Sequence, residues 1–223
     1  MKHPHDDDER DDGHGDDDDD LAEYRALVGK VDDAVARAAD RAGDQLTCRS
    51  GCASCCVDGL SVLPVEAFAL AAAVEARVAA GHDLPAVRPT DDACVFLDVD
   101  NRCAVYEARP LLCRTHGLPL VTGEPARGAL RIVDDVSVCA LNFPDRLPTR
   151  ADALDAGRLL QLLVTVDRRF RARVGLPDDA GRIPLRDVAA DVRDDGQEPD
   201  DGRDDGRDVR HDDGRDVRHD DGG

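Results

Sequence analysis

Four cysteines fall within nine residues, in the run Cys48-Arg49-Ser50-Gly51-Cys52-Ala53-Ser54-Cys55-Cys56, and four more follow at Cys94, Cys103, Cys113 and Cys139. Nothing else in the chain restricts its fold as tightly. With four Phe, two Tyr and no Trp in 223 residues, a core has to be built from Leu, Val and Ala. A chain short of large core side chains and rich in clustered thiols is fastened by disulfides or by metal.

Compartment separates those two possibilities. The first residues, Met1-Lys2-His3-Pro4-His5 followed by acids, contain no apolar stretch of the signal-peptide kind. The most apolar segment, 60–80, is interrupted by Pro64, Glu66, Glu75 and Arg77 and is unsuited to spanning a bilayer. A cytoplasmic location is therefore expected, where thiols stay reduced unless they hold metal.

The net charge of -20 sits in two tails. Residues 1–20 hold 11 acids and 2 bases, residues 186–223 hold 15 and 7, and residues 21–185 hold 23 and 20. A near-neutral middle predicts no nucleic-acid surface and no polybasic membrane contact. The tails are low in apolar residues and are expected to be disordered. In the second, Asp204-Asp205-Gly206-Arg207-Asp208-Val209-Arg210-His211 recurs as 212–219, a unit too poor in apolar residues to pack as a solenoid. The expected organisation is an acidic tail over 1–20, a metal-binding domain over 21–185 and an acidic repeat tail over 186–223.

Three helices are predicted between the tails. The first spans 21–42, with Leu27, Val31, Ala34 and Ala38 at helical spacing and Asp20 as N-cap. The second spans 64–80, opening on Pro64 and stopping at Gly81. The third spans 151–174, with Leu159, Leu163, Val166, Phe170 and Val174 on one face, an Arg-rich last turn read as a solvated face, and Gly175 as its stop. Around the later cysteines the pattern becomes short and strand-like. Cys94-Val95-Phe96-Leu97 and Cys103-Ala104-Val105-Tyr106 read as a hairpin, Pro110 starts a helical turn, and strands are expected near 118–121 and 129–133 before Val136-Ser137-Val138-Cys139. The fold class that follows is α+β, mainly helical: a small metal-centred domain with a short β-hairpin and disordered acidic tails.

The step from Cys52 to Cys55 is a chelating spacing, because a tight turn aims both sulfurs at one cation and Gly51 lets the backbone wrap. The vicinal pair Cys55-Cys56 points elsewhere. Adjacent side chains diverge, so these two thiols either serve different centres or one is a spare or bridging ligand. Eight thiolates suffice for two mononuclear zincs, two iron–sulfur clusters or one polynuclear centre. Four thiolates around a dication leave a charge of about -2 to compensate, and Arg109 and Arg114 are placed to donate to the sulfurs. His116 is a further candidate ligand at Cys-x2-His spacing from Cys113.

Read in order, Cys-x3-Cys-x2-Cys-Cys, then Cys94-Val95-Phe96-Leu97, then Cys103-Ala104-Val105-Tyr106-Glu107-Ala108-Arg109-Pro110, then Cys113-Arg114, the chain resembles the YkgJ-like cysteine-cluster family, a zinc- or iron-chelating domain named for its CxxCxxCC motif. The resemblance covers about 48–143. It departs from the motif by one extra residue between Cys48 and Cys52, which Gly51 can absorb. By this resemblance the metal ligands are Cys48, Cys52, Cys55, Cys56, Cys94, Cys103, Cys113 and Cys139, and the cofactor is zinc or iron, the iron in one form an iron–sulfur cluster. The family brings no defined reaction with it.

Nothing in the chain points to a particular catalysis. It has no Gly-rich phosphate loop, no nucleophile elbow and no His-Glu-x-x-His pair. The Cys52-Ala53-Ser54-Cys55 step lacks the strand–helix context of a dithiol redox motif. Three roles stay open: metal for the fold of an accessory or interaction module, an iron–sulfur redox protein, or an iron-dependent enzyme. The partner read from the residues is a metal ion, with no protein partner indicated.

Overall fold

A computed structural model describes residues 19–85, 93–122 and 130–195. Both expected tails fall largely outside these residues. Helix α1 (Ala22–Ala42) buries Tyr24, Leu27, Val31, Ala38 and Ala42 along one stripe, close to the expected face. Its start differs from expectation: Asp19, not Asp20, receives the first free backbone groups, its carboxylate accepting from Leu21 N at 3.1 Å and its carbonyl from Ala22 N at 2.9 Å.

A 3-10 turn (Gly43–Gln45) leads into the cysteine loop, which ends at the two-residue strand β1 (Ser61–Val62). Helix α2 (Pro64–Ala79) follows, with Pro at its first position and Gly81 in the left-handed region just beyond it. Free N–H groups at the start of α2 are met by carboxylates: Glu66 accepts from Leu63 N at 3.1 Å and Asp167 from Val65 N at 3.1 Å. Both acids are buried, where the helix's positive end favours them.

The predicted hairpin over 94–106 reduces to one antiparallel bridge, Leu97 with Cys103. Asp98 organises the connection by accepting from Asp100 N and Arg102 N, and Asn101 sits at φ 59°. Strands do not extend because a 3-10 turn (Tyr106–Ala108) intervenes before helix α3 (Leu111–Thr115). Strands β2 (Leu120–Val121), β3 (Leu130–Val133) and β4 (Val136–Cys139) form where expected. With β5 (Leu154–Asp155) they make a four-stranded sheet in the order β3-β4-β2-β5, in which only β2 and β5 run parallel.

Helix α4 (Ala156–Val174) starts later than the expected residue 151, because residues 154 and 155 pair with β2 and the Asp155 side chain caps the helix by accepting from Arg158 N at 2.9 Å. Its apolar face packs as predicted. Of the four arginines near its end, Arg168, Arg169 and Arg173 are exposed as expected, the last two pairing with Glu23 of α1, while Arg171 is buried on Asp167 at 2.8 Å.

The chain closes with β6 (Ile183–Pro184), paired to β1, and helix α5 (Leu185–Asp195). The expected tail boundary at 185/186 is thereby corrected. Leu185, Val188, Ala189 and Val192 are buried against Val62, Leu70, Val74 and Phe96, forming the first of three apolar clusters. The second joins Tyr24, Leu27 and Val31 of α1 to Val65, Leu111, Leu163 and Phe170, so α2 lies between α4 and α5 and contributes to both. The third, Ala42 with Val138 and Phe143, sits beside the cysteine loop. No helix among the described residues is long and apolar enough to cross a membrane.

Candidate metal centre

The cysteine loop is two successive turns, closed by Cys52 N to Arg49 O at 3.0 Å and Cys56 N to Ala53 O at 2.9 Å. Gly51, at φ 83°, supplies the left-handed residue between them, and a Cβ there would stand 3.4 Å from Asp100 O. The loop is tied to the second cysteine segment by the Val57–Ala93 bridge and by Cys94 N to Cys56 O at 3.1 Å. Cys113 is carried by α3, whose first N–H, that of Leu111, is held by Glu66 at 2.9 Å. Cys139 ends β4, with its N–H on Gly117 O at 3.1 Å.

Seven of the eight thiols fall into two neighbourhoods, while Cys52 borders a cleft lined also by Thr47, Arg49 and Leu141. Cys48, Cys55 and Cys139 gather around Gly117 and Asn142. Gly117 lies at φ 87°, and a Cβ on it would come within 3.2 Å of Cys55 Sγ and 3.6 Å of Cys139 Cβ. Asn142 is fully buried. Its Nδ2 donates to Gly117 O at 2.8 Å and to Cys48 Sγ at 3.4 Å, while its Oδ1 accepts from Thr47 N at 2.9 Å. The other neighbourhood is Cys56, Cys94, Cys103 and Cys113, the last three packed against the first apolar cluster.

Proton affinities follow this division. Burial pushes the Cys113 thiol up to about 12, helped by the charges of Cys94 and Cys103. Burial also raises Cys94 and Cys103, but the N–H of Phe96 and that of Val105, each two residues beyond its cysteine, hydrogen-bond the sulfur and favour the thiolate. Burial raises Cys48 too, and the Asn142 hydrogen bond opposes it. In the vicinal pair the interaction of the two sulfurs, with burial, raises Cys55, and the same interaction lowers Cys56. A cation supplied to these sulfurs has to displace those protons.

Arg109 and Arg114, expected to donate to the sulfurs, part company. Arg114 is largely buried and turned away. It forks onto Asp32 of α1 at 2.8 and 2.7 Å and donates to the carbonyls of Arg109 and Glu107, so it fastens α3 to α1. Arg109 donates to Tyr106 O at 2.8 Å with its guanidinium 3.5 Å above the Tyr106 ring, and its charge eases ionisation of Cys55, Cys103 and Cys113 alike. His116 is half-buried, which lowers its proton affinity, and its carbonyl rather than its ring faces Cys55 Sγ, at 3.9 Å. Asn142 and Gly117 were missed from sequence. A lone Asn inside the apolar segment Leu141-Asn142-Phe143 was the available signal for the first.

All eight cysteines are free thiols. Among the described residues no three His, Cys, Asp or Glu side chains are gathered closely enough to hold a metal ion. The donor set nonetheless fits a thiophilic cation: only sulfur is offered, calcium and magnesium are disfavoured, and Gly117 leaves space a Cβ would fill beside two of the sulfurs.

Residues 47–127 match a family model described as "CxxCxxCC: Putative zinc- or iron-chelating domain", which supports the cysteine-cluster resemblance. The matched span includes every cysteine except Cys139. No curated protein and no solved structure matches the chain.

Proposed function

We propose, from the premise that residues 47–127 match a zinc- or iron-chelating domain, that this protein binds zinc or iron through Cys48, Cys52, Cys55, Cys56, Cys94, Cys103, Cys113 and Cys139, and that the metal is needed for its fold. The observation that carries the reading is the approach of free thiols from separate parts of the chain, Cys55 beside Cys139 at Gly117 and Cys48 on Asn142, in a chain whose residues 47–127 match that domain. Desolvated, unpaired thiols contribute little to a core with few aromatic residues, whereas metal ligation converts them into cross-links. Structural zinc in small domains supplies on the order of 10 kcal/mol of folding free energy.

The bound metal would supply charge neutralisation and cross-linking, and an accessory or interaction role follows from a closed thiolate site. The N–H groups of Phe96 and Val105 on Cys94 and Cys103 favour a second reading, an iron–sulfur centre, since hydrogen bonds to sulfur tune cluster potentials.

The deciding experiment is metal and acid-labile sulfide content, with an absorption spectrum, on protein purified without oxygen. Colourless protein with about two zincs per chain supports structural sites. Brown protein with iron and sulfide supports the redox reading. Folded protein that is metal-free and takes up neither metal overturns both.

A further inference from the structure

Arg77 sits in the last turn of α2, half-buried, with its Nε shielded from solvent and no hydrogen-bond partner for it. A cation in the last turn suits the negative end of the helix dipole. That accounts for the charge of Arg77 but leaves a buried N–H unmet. Other arginines of the fold are engaged. Arg114, Arg146 and Arg171 each rest on a carboxylate. Arg131, whose Nε is also buried and unpartnered, still donates through a terminal nitrogen to the carbonyls of Asn142 and Phe143. No carboxylate pairs with Arg77 among the described residues.

Arg77 lines a hollow of about 260 Å³ between α2 and the segment ending in the Tyr106–Ala108 turn. Ala73, Ala104 and Val105 give it aliphatic walls, Tyr106 adds a ring and Glu107 an acid. Arg109 steadies that ring, with its guanidinium 3.5 Å from the ring centroid and its Nε donating to Tyr106 O at 2.8 Å. Two cations against one acid leave a single net positive charge about the hollow. Its volume lies below the roughly 300–1,000 Å³ of pockets that take drug-sized ligands, so its occupant is small.

We propose that this hollow binds a small aliphatic monocarboxylate, its oxygens taken by the Arg77 guanidinium and its short apolar body by Ala73, Ala104 and Val105. A guanidinium fork matches the two oxygens of a carboxylate, and such a partner meets the Nε that the fold leaves alone. Glu107 sets the charge of the ligand: one negative charge is balanced, whereas a second is repelled, which selects against doubly charged phosphate. Cys103 borders the hollow, but the site needs no thiol and is independent of the metal-binding reading.

The test is an NMR titration of the full chain, as purified, with sodium propionate and separately with inorganic phosphate, ionic strength being held constant with chloride. Propionate should shift the Arg77 Nε–H and Tyr106 ring resonances saturably, in the millimolar range, with phosphate binding more weakly. Arg77→Gln should weaken propionate at least about tenfold. Arg77→Lys, which keeps the charge but loses the fork, should also weaken it, and serves if the Gln variant does not fold. Glu107→Gln, a change at an exposed side chain, should strengthen propionate and admit phosphate. Shifts that stay linear in propionate, unweakened binding by a folded Arg77 variant, or wild-type protein that takes phosphate as tightly as propionate would each overturn the proposal. Saturable propionate binding by protein that takes up no metal would uphold it while removing the metal-binding reading.

Discussion

The Asn142 amide and the Cys48 sulfur lie 94 positions apart in sequence and meet at 3.4 Å, inside a buried junction that also contains the Gly117 carbonyl and the Thr47 N–H. The side chain closes the loop preceding β5 onto the start of the cysteine run. Asn142→Ala leaves the half-buried Thr47 N–H without its partner and takes one of two donors from the Gly117 carbonyl, at a cost of about 1–3 kcal/mol. Urea unfolding of the metal-loaded protein should show it, together with faster loss of metal. An unchanged midpoint would remove Asn142 from the site.

Gly117 should be intolerant for two separable reasons. Its φ of 87° costs a residue with a Cβ about 1–2 kcal/mol. A Cβ would also press on Cys55 Sγ at 3.2 Å, whereas at Gly59, with φ 75°, nothing lies within 4 Å. Gly59→Ala should therefore lower the melting temperature only, while Gly117→Ala should lower both melting temperature and metal content. Equal metal content in the two variants would show that the contact with Cys55 does not matter.

Glu66 joins two elements through one carboxylate, accepting from Leu63 N and from Leu111 N. A Gln can accept with one oxygen only. Glu66→Gln is expected to destabilise by about 1–3 kcal/mol, measured by chemical denaturation. Because Leu111 N begins the helix bearing Cys113, exchange of that amide with deuterated water should also speed up; unchanged exchange would mean that Glu66 does not hold α3.

Asp152 accepts from Arg146 at 2.7 and 2.8 Å and from both Thr149 groups, and these hydrogen bonds hold its carboxyl well below the ordinary value of 3.8. A carboxyl depressed on folding stabilises fully above its unfolded value and loses that contribution as pH falls through the folded one. Asp152→Asn should thus show its full deficit at neutral pH, and the gap from wild type should narrow only below about 3.8. A gap that already closes between neutrality and that value would contradict the assignment.

Helix α5 should be required for stability. Leu185→Ala removes a side chain buried in the first cluster and is expected to cost about 2–5 kcal/mol by thermal or chemical unfolding. A cost near zero would mean that α5 does not pack there in solution.

The mainly helical α+β class and the helix faces were legible because they depend on spacing along the chain. Leu159, Leu163, Val166, Phe170 and Val174 mark one side of α4 whatever it packs against. The α5 signal was present in the same form, at Leu185, Val188, Ala189 and Val192, but a charge count over 186–223 averaged those residues away. Arg114 misled for another reason: nearness in sequence to Cys113 says nothing about where a long side chain turns, and the Asp32 carboxylate that holds it lies 82 residues away.

By itself the sequence determined the chemistry on offer: eight thiols, their local turns, and a glycine at the point where the loop must wrap. Only the tertiary structure decided how those thiols are grouped. Grouping depends on contacts that no spacing encodes, such as Asn142 on Cys48 and Gly117 beneath Cys55 and Cys139. Such contacts form when distant segments are brought together by burial of their apolar neighbours, so the partner of each sulfur is set by packing, while the sulfur itself is set by the chain.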